Sequence, residues 1–241
     1  MESIISQGLE ELGLAGRAAE NAPEQLARFG RLLLEKNRVM NLTAIREPED
    51  AARLHMLDCA ALLRFCDFRG RSLIDVGTGA GFPGMALKIL EPSLEVTLLD
   101  SLEKRLGWLE EAGGALGLKG VRTVRARAEE LGRDPEYREA FDFASARAVA
   151  RLGVLCELCL PYVKVGGAFL AMKSVDSGPE AEEARHAAAL LGGELERQED
   201  YPIPGTEVVH RLVVIRKVSP TPPGYPRRWA RIQKAPLWER A

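Results

Sequence analysis

Residues 73–84, LIDVGTGAGFPG, mark the point where a short apolar run turns into a helical segment. Three glycines at alternate positions, Gly77, Gly79 and Gly81, allow the backbone to turn tightly and to approach a ligand closely. The helix after the turn presents N–H groups that have no partner within the helix. Strand, glycine turn and helix in this order therefore predict a nucleotide-binding turn.

The residues around this turn restrict the kind of nucleotide. A phosphate-binding P-loop requires Lys and Ser or Thr after its last glycine, whereas Met85 and Ala86 follow here. A dinucleotide turn has the spacing Gly-x-Gly-x-x-Gly, but Phe82 occupies the position of its third glycine. Asp75, at the mouth of the turn, would repel a pyrophosphate and suits a positive sulfonium. The pattern predicts S-adenosylmethionine, with a dinucleotide as the alternative.

Two further acids follow later apolar runs. Asp100 lies 25 residues after Asp75, where a carboxylate can accept hydrogen bonds from both ribose hydroxyls. Dinucleotide-binding and methyl-donor folds share this feature. Glu129 follows the third run and is a candidate for the adenine edge, although a lone loop acid is more often solvated. Because the carboxyl ends of parallel strands meet at one crevice, the three acids together predict a single ligand site.

The rest of the chain predicts an α/β fold in three parts. Residues 1–68 form a helical N-terminal region, in which Leu26, Phe29 and Leu33 recur at helical spacing. Residues 69–218 alternate short apolar runs with helical segments, as in a Rossmann-like, mostly parallel sheet with both faces covered. The predicted strands are SLIDV, EVTLLD, VRTVRA, FDFASA, AFLAMK and HRLVVIRK, and the predicted helices between them cover 84–90, 102–116, 152–160 and 179–191. Residues 219–241 form a basic tail that the Pro-rich SPTPPGYP (219–226) separates from the folded body.

Composition excludes several classes of protein. The chain is 46% hydrophobic, has four cysteines and has a net charge of −2. It shows no secretory leader and no run of roughly 18 apolar residues that would span a membrane. So few cysteines cannot form a disulfide framework, and the Leu residues around Cys156 and Cys159 favour core packing over zinc or redox chemistry. We therefore expect a cytoplasmic protein.

The basic tail predicts a polyanionic partner. Seven basic residues from Arg216 onward face a single acid, so the remainder of the chain carries a net charge of −8. Arg227, Arg228 and Trp229 are candidates for contacting RNA, since cations neutralise phosphates and aromatic rings stack on unpaired bases. The same reasoning extends to Trp238 and Arg240. The alternative is that the tryptophans anchor the tail against the domain.

Several stretches, in order from about residue 37 to the end, carry a family resemblance: NLTAIREPEDAARLHMLD (41–58), LIDVGTGAGFPG (73–84), VTLLDSLEKR (96–105), RAEEL (127–131), SARAVA (145–150), LAMK (170–173), LVVIRK (212–217), and YPRR followed by KAPL. In this combination the chain resembles the small-subunit ribosomal RNA guanine-N7 methyltransferases, also called the glucose-inhibited division protein B family. It departs from them at Cys59, where the family has Ser, and at His210-Arg211, where the family has Arg-His.

The resemblance implies a class I S-adenosylmethionine-dependent methyltransferase fold with a seven-stranded sheet. The methyl acceptor would be N7 of a guanine in the decoding-region (530) loop of 16S rRNA, either free or in a small-subunit particle. The alternatives are a methyltransferase that acts on another substrate and a non-enzymatic RNA-binding factor that senses the methyl donor. The family's cofactor contacts map onto Gly77, Phe82, Ala128 with Glu129, and Arg147. We expect no metal ion, no obligate protein partner and a monomer.

The chemistry of the strand ends agrees with N7 as the acceptor. Methylation of an exocyclic amine usually requires a polar residue and Pro-Pro-aromatic after the fourth strand, where this chain has SARAVA. Methylation of a pyrimidine carbon requires a cysteine nucleophile at a strand end. N7 carries a lone pair, so alignment alone can suffice. No catalytic side chain is predicted. Arg147 is a candidate for positioning through contact with the guanine or with the donor's carboxylate, and Lys173 through contact with a phosphate or the base. Both can also be solvated strand-end cations.

Asn41, His55 and Asp58 are polar residues in an otherwise apolar helical region. A single His in such a setting is more often a buried hydrogen-bonding residue than a catalyst. The functional alternative is that this region covers the donor pocket and helps to admit the RNA loop.

Overall fold

The computed structural model describes residues 1–147 and 149–237. Within them, one sheet has seven strands in the order β3-β2-β1-β4-β5-β7-β6. The first five strands run parallel, while β7 is antiparallel to both of its neighbours. The strands are β1 (Ser72–Val76), β2 (Glu95–Asp100), β3 (Val121–Arg125), β4 (Phe141–Arg147), β5 (Val163–Ser174), β6 (Gly193–Pro202) and β7 (Val209–Lys217). The predicted α/β class and mostly parallel sheet are confirmed.

The strand order reverses between β1 and β4, and this reversal positions the site. The chain passes from β1 outward to β2 and β3 on one side, then returns to place β4 on the other side of β1. Connections after β1 and β4 therefore leave the sheet in opposite directions and open a crevice at the carboxyl ends of these strands.

Helices cover both faces of the sheet and form two apolar clusters. One cluster joins the N-terminal helices to α5 (Gly84–Leu90) and α6 (Glu103–Leu116). The other lies under α8 (Leu152–Cys159) and α9 (Gly178–Leu190), and includes the C-terminal α10 (Trp229–Lys234). A short helix, α7 (Ala128–Leu131), follows β3.

The N-terminal region is helical, as predicted, and shares its core with the sheet. It consists of α1 (Glu2–Glu11), α2 (Ala22–Met40) and a third helical segment over residues 48–64. Leu26, Phe29 and Leu33 of α2 are fully buried in the same cluster as α5 and α6. The third segment changes geometry along its length, from α3 (Pro48–Ala51) through a π-helical turn (Ala52–Leu57) and α4 (Asp58–Ala60) to a 3₁₀ turn (Ala61–Arg64). Sequence periodicity does not predict this π-helical turn.

β6 is a strand that the sequence pattern does not predict. Its segment, GELERQEDYP, has charged residues at most alternate positions and pairs with β7 alone. An edge strand buries few side chains, so it lacks the apolar run by which the other strands are recognised.

The C-terminal residues contradict the prediction of a separate tail. We call residues 219–237 the C-terminal strap. Arg138 donates hydrogen bonds to the carbonyls of Thr221 (2.7 Å) and Tyr225 (2.8 Å), and Arg133 donates to that of Pro226 (2.7 Å). Ile232 of α10 is buried in the second cluster. The Pro-rich segment is thus held to the domain by its own carbonyls, since prolines have no N–H but keep their acceptors. Trp238 and Arg240 lie outside the described residues.

Candidate active site

A cleft of about 580 Å³ opens at the carboxyl ends of the central strands. We call it the main cleft. It is lined by residues that the sequence analysis assigned to the cofactor: Gly77, Gly79, Phe82, Asp100, Ala128, Glu129 and Arg147. The topology therefore brings seven of the eight candidates to one place. Asp75 is the exception.

The glycine turn forms the floor of the main cleft and requires glycine. Gly77 and Gly79 have φ angles of 71° and 58°, in the left-handed region that favours glycine. A Cβ at Gly77 would also lie 2.9 Å from Cγ2 of Val149. The Gly77 N–H donates to the carbonyl of Leu99 (2.8 Å), which ties the turn to the end of β2.

Asp75 lies beneath the turn, not at its mouth. Its carboxylate is fully buried and accepts hydrogen bonds from Thr78 Oγ1 (2.6 Å), the Gly84 N–H (3.0 Å) and Ser145 Oγ (2.8 Å). Burial raises the pKa of Asp75 above its usual value, and these three bonds offset only part of that increase. The location assigned to Asp75 is therefore corrected: this acid holds the loop together, and its oxygens are already occupied by protein donors.

Asp100 faces the main cleft from the end of β2. Its Oδ2 accepts bonds from the Gly79 N–H (3.1 Å) and from Arg105 (3.2 Å), and its Oδ1 accepts one from the Leu102 N–H (2.9 Å). These bonds fix the carboxylate beside the glycine turn. A carboxylate held in this way can accept hydrogen bonds from two neighbouring hydroxyls of a ligand.

Glu129 and Trp229 form the wall at the end of β3. Glu129 is buried and accepts a hydrogen bond from Arg127 Nε (3.1 Å). The Arg127 guanidinium lies 5.2 Å from the ring centroid of Trp229, within the range of a cation–π contact. Trp229, which the sequence assigned to RNA, lines the main cleft from the C-terminal strap. Only the tertiary position of the strap reveals this role.

Arg147 joins β4 to the N-terminal region. It donates hydrogen bonds to Asp58 Oδ2 (3.1 Å), to the Leu54 carbonyl (3.2 Å) and to His55 Nδ1 (2.9 Å). Its guanidinium also lies 5.0 Å from the ring centroid of Phe82. The His55 ring stacks on the same Phe82, with centroids 4.5 Å apart. The π-helical turn is thereby fastened over the cleft.

His55 is a neutral hydrogen-bonding residue. Nδ1 accepts from Arg147, so the proton lies on Nε2, which is 2.9 Å from Thr43 Oγ1. Burial and the charge of Arg147 lower the pKa of His55 to about 3. The predicted buried, hydrogen-bonding His is confirmed, and the loop that carries Thr43 covers the main cleft at the same time.

Asp58 is the buried anion of this network. Besides Arg147, it accepts hydrogen bonds from Tyr201 (2.8 Å) and lies 2.9 Å from Nδ1 of His210. Burial alone would raise the pKa of Asp58, but the contacts with His210, Arg147 and Tyr201 lower it. His210, a position where the sequence analysis indicates a departure from the family, is therefore a partner of Asp58.

A second cavity, also of about 580 Å³, lies beside the main cleft. We call it the side cavity. Among the described residues, His55 and Arg147 line both. Lys173, at the end of β5, lines the side cavity, where its Nζ lies 2.8 Å from Glu180 Oε2 and donates to the Ala150 carbonyl (3.2 Å). The two cations proposed for positioning thus both line the side cavity, at the carboxyl ends of the neighbouring strands β4 and β5.

The structure assigns Arg227 to the fold. It makes two short contacts with Glu157, at 2.8 Å and 2.6 Å, and donates to the Ala235 carbonyl (2.9 Å). Glu157 lies inside α8 and is buried. The assignment of Arg227 to RNA is therefore corrected, because its donors are used within the protein. Arg228 is exposed and stays a predicted RNA contact.

Three of the four cysteines pack in the core, including Cys156 and Cys159, as the sequence predicted for these two. Both are fully buried, as is Cys59, and burial raises the pKa of all three thiols. Among the described residues no group of three or more His, Cys, Asp or Glu side chains is arranged to hold a metal ion. No helix in the described part of the chain is long and apolar enough to cross a membrane.

The sheet order, the glycine turn and the acid at the end of β2 define a class I S-adenosylmethionine-dependent methyltransferase fold. Solved structures show the same fold. TrmN from Thermus thermophilus matches with a TM-score of 0.52 and 27% identity, over 67% of this chain and 48% of that one. The antibiotic-resistance methyltransferase Kmr matches with a TM-score of 0.50 and 19% identity, over 68% and 94% of the two chains.

A family model described as rRNA small subunit methyltransferase G matches residues 22–201. A ribosomal RNA small subunit methyltransferase G from Alkaliphilus metalliredigens is 43% identical over 240 residues, which cover 98% of this chain and all of the relative. One from Pelotomaculum thermopropionicum is 45% identical over 238 residues, which cover 98% and 99%. The chain therefore belongs to the rRNA small subunit methyltransferase G family.

Proposed function

We propose that this protein transfers a methyl group from S-adenosylmethionine to N7 of a guanine in the decoding-region loop of 16S rRNA. The observation that carries the proposal is the pair of adjoining cavities, whose shared residues, His55 and Arg147, can orient an acceptor but cannot act as bases. The names of the relatives support a small-subunit rRNA substrate. We further propose that the protein acts as a monomer in the cytoplasm.

The main cleft fits the donor. Asp100 would accept hydrogen bonds from the ribose hydroxyls, Glu129 would face the adenine edge, and Trp229 would cover that end of the cleft. The glycine turn would allow close backbone approach. Each of these acids is paired with an arginine that also lines the cleft, Asp100 with Arg105 (3.2 Å) and Glu129 with Arg127 (3.1 Å). When bound, S-adenosylmethionine supplies an electrophilic methyl group on a positive sulfonium.

The protein's own residues then have one task, which is alignment. Guanine N7 attacks with its lone pair, the N–C bond forms as the S–C bond breaks, and no proton has to leave beforehand. His55 suits this reaction because it is neutral and both of its ring nitrogens are engaged. The raised thiol pKa values of Cys59, Cys156 and Cys159 disfavour a thiolate nucleophile and thus a pyrimidine-carbon reaction. Holding two reactants in line is sufficient for a large rate gain.

The test uses donor labelled in its methyl group, the purified protein, and small-subunit RNA as naked transcript, assembly intermediate or finished particle. Label is expected in RNA, at a guanine that becomes a strand break after reduction and aniline treatment, as N7-methylguanine does. An Asp100→Ala variant should lose most of this signal because it binds donor weakly. Label found only in small metabolites, or in RNA that aniline does not cleave, would contradict the proposal.

A further inference from the structure

We infer that Lys173 and Glu180 together recognise the Watson–Crick edge of the target base in the side cavity, and so select guanine over adenine. We call them the guanine-reading pair. The inference rests on the proposed function, in that it takes a purine as the acceptor, and assigns a specificity role to this cavity.

The pair is held in a fixed position at the wall of the side cavity. Lys173 Nζ lies 2.8 Å from Glu180 Oε2, and the same oxygen accepts a hydrogen bond from the Leu152 N–H (3.0 Å). Lys173 also donates to the Ala150 carbonyl (3.2 Å). The side chains are only 14% and 24% exposed, so both heads face the cavity more than bulk solvent. These contacts with the backbone of residues 150–152 restrict how either head can turn.

The charges of the pair have a fixed hydrogen-bonding sense. A Lys ammonium can only donate, and an ionised carboxylate can only accept. Burial opposes ionisation of Glu180, but the bonds from Lys173 and the Leu152 N–H lower its pKa, so it remains an acceptor at neutral pH. The pair therefore presents one donor and one acceptor side by side.

This order matches guanine and mismatches adenine. Guanine has an acceptor, O6, next to a donor, N1–H, followed by its 2-amino donor, whereas adenine has a donor amine next to an acceptor, N1. Guanine can accept from Lys173 and donate to Glu180. Adenine would place its amine against the ammonium and its N1 lone pair against the carboxylate. A site strongly rejects a wrong ligand when binding of that ligand leaves buried polar groups of the site without hydrogen-bond partners.

The position of the side cavity agrees with attack by N7. N7 lies on the Hoogsteen edge, apart from the edge that the pair would hold. Arg147 and His55 form the boundary between the side cavity and the main cleft. If Lys173 and Glu180 hold the Watson–Crick edge of the base, N7 stays free and can face this boundary. The methyl group of the donor would lie on the other side of the boundary, in the main cleft.

The pair also stabilises the fold, because it ties α9 to β5. A structural role alone would change stability without changing the choice of base. The test must therefore measure discrimination between bases as well as activity.

The test compares wild type with Glu180→Gln and Lys173→Met. The matched controls are Glu182→Gln, which changes an exposed acid of the same helix paired with Arg185, and Lys164→Met, at the start of the same strand and half-exposed.

Two measurements are made on each protein. The first is kcat and KM on small-subunit RNA with guanine or 2,6-diaminopurine at the target position, since that base keeps N7 and the 2-amino group but reverses the O6 and N1 pattern. The second is binding of guanosine and adenosine monophosphates to the protein with S-adenosylhomocysteine, by saturation-transfer NMR.

Wild type is expected to have a higher kcat/KM with guanine than with 2,6-diaminopurine, and to bind guanosine monophosphate more tightly than adenosine monophosphate. Glu180→Gln and Lys173→Met should each lower kcat/KM with guanine by roughly tenfold or more, and should narrow the preference over 2,6-diaminopurine. Donor affinity should stay within about twofold, and the two controls should behave as wild type.

The two proposals can fail separately. If wild type does not methylate the RNA but binds the guanine nucleotide preferentially, and Glu180→Gln removes that preference, the proposed function is wrong and the guanine-reading pair stands. If wild type binds both nucleotides alike, or if Glu180→Gln and Lys173→Met keep the wild-type preference, the inference is wrong whatever the RNA result. Because the wild-type preference needs no variant, a variant that fails to fold does not block the test.

Discussion

Replacing Arg227 with methionine is expected to lower the free energy of unfolding of the whole domain, because this side chain fastens the C-terminal strap to α8. Glu157, its partner, is 1% exposed, and Arg227 itself is 12% exposed. Methionine keeps most of the apolar volume of the side chain and removes only the charge and its donors. Glu157 would then be a buried carboxylate without its counter-ion, although it would keep the hydrogen bond from the backbone N–H of residue 227 (2.8 Å).

The size of the effect follows from this burial. Removing one partner of a buried ion pair costs about 3–5 kcal/mol, and the slight exposure of Arg227 favours the lower end, about 3 kcal/mol. A domain of this size has a urea m-value of about 2–3 kcal/mol per molar. The urea midpoint should therefore fall by about 1 M. Donor affinity should fall as well, because Trp229 loses its fixed position in the main cleft.

Urea unfolding followed by fluorescence and circular dichroism gives the stability, and calorimetry gives donor affinity. Arg228→Met is the matched control, since Arg228 is the exposed neighbour and should leave both quantities unchanged. Adding Glu157→Gln to Arg227→Met should restore much of the lost stability by removing the unpaired charge. If Arg227→Met instead unfolds like wild type and loses only RNA methylation, Arg227 contacts RNA and the reasoning from the buried pair is wrong.

Three further changes test the main cleft. Asp100→Ala should weaken donor binding, measured by calorimetry, by about 1–3 kcal/mol through loss of the ribose hydrogen bonds. Glu103→Ala is the control and should bind the donor as wild type does; equal affinities for both variants would exclude Asp100 as a donor contact. Trp229→Ala should weaken donor binding roughly fivefold through loss of an aromatic wall, while urea unfolding shows whether the strap stays docked; unchanged affinity would place the donor elsewhere. Since burial and Arg147 lower the pKa of His55 to about 3, the unfolded chain gains a proton near pH 6.5 that the folded protein does not, so stability should fall as pH drops from about 6.5 towards 3, by up to about 1.4 kcal/mol per pH unit. His55→Gln should remove this part of the slope between about pH 6.5 and 4.5, and an unchanged slope would assign it to other groups.

The central sheet and the glycine turn could be predicted because their signals are local. Four of the predicted strands end at a residue that lines one of the two cavities, and a fifth ends one residue before Arg147, which lines both. Parallel pairing brings such ends together. Gly77 and Gly79 were predictable because only glycine adopts their backbone conformation without strain. Asp75 shows the limit of the same reasoning. An acid two residues before a glycine has the right charge for a sulfonium, but the pattern does not say whether its carboxylate lies above or beneath the turn.

The features that could not be predicted depend on partners distant in sequence. Arg227 looks like an RNA contact because its partner, Glu157, is 70 residues away in an apolar helix. Trp229 reaches the main cleft only because Arg133 and Arg138 hold the carbonyls of the strap. Free tails seldom contain tryptophan, and this observation favours a tail that docks against the domain. It does not say where on the domain the tail docks.

The π-helical turn at Ala52–Leu57 makes this segment unusually sensitive to its length. A π-helical turn accommodates one residue more than the corresponding α-helical turn. Deleting a single residue there would convert the interval to an α-helix, in which the flanking residues keep their directions and the remaining residues of the interval take new ones around the helix axis. His55, which lies inside the interval, would then no longer meet Arg147 together with Asp58, even if every apolar side chain of the segment were kept. Single-residue insertions and deletions in this short interval should therefore be tolerated less well than substitutions, and a relative that differs here by one residue must close its cleft in another way.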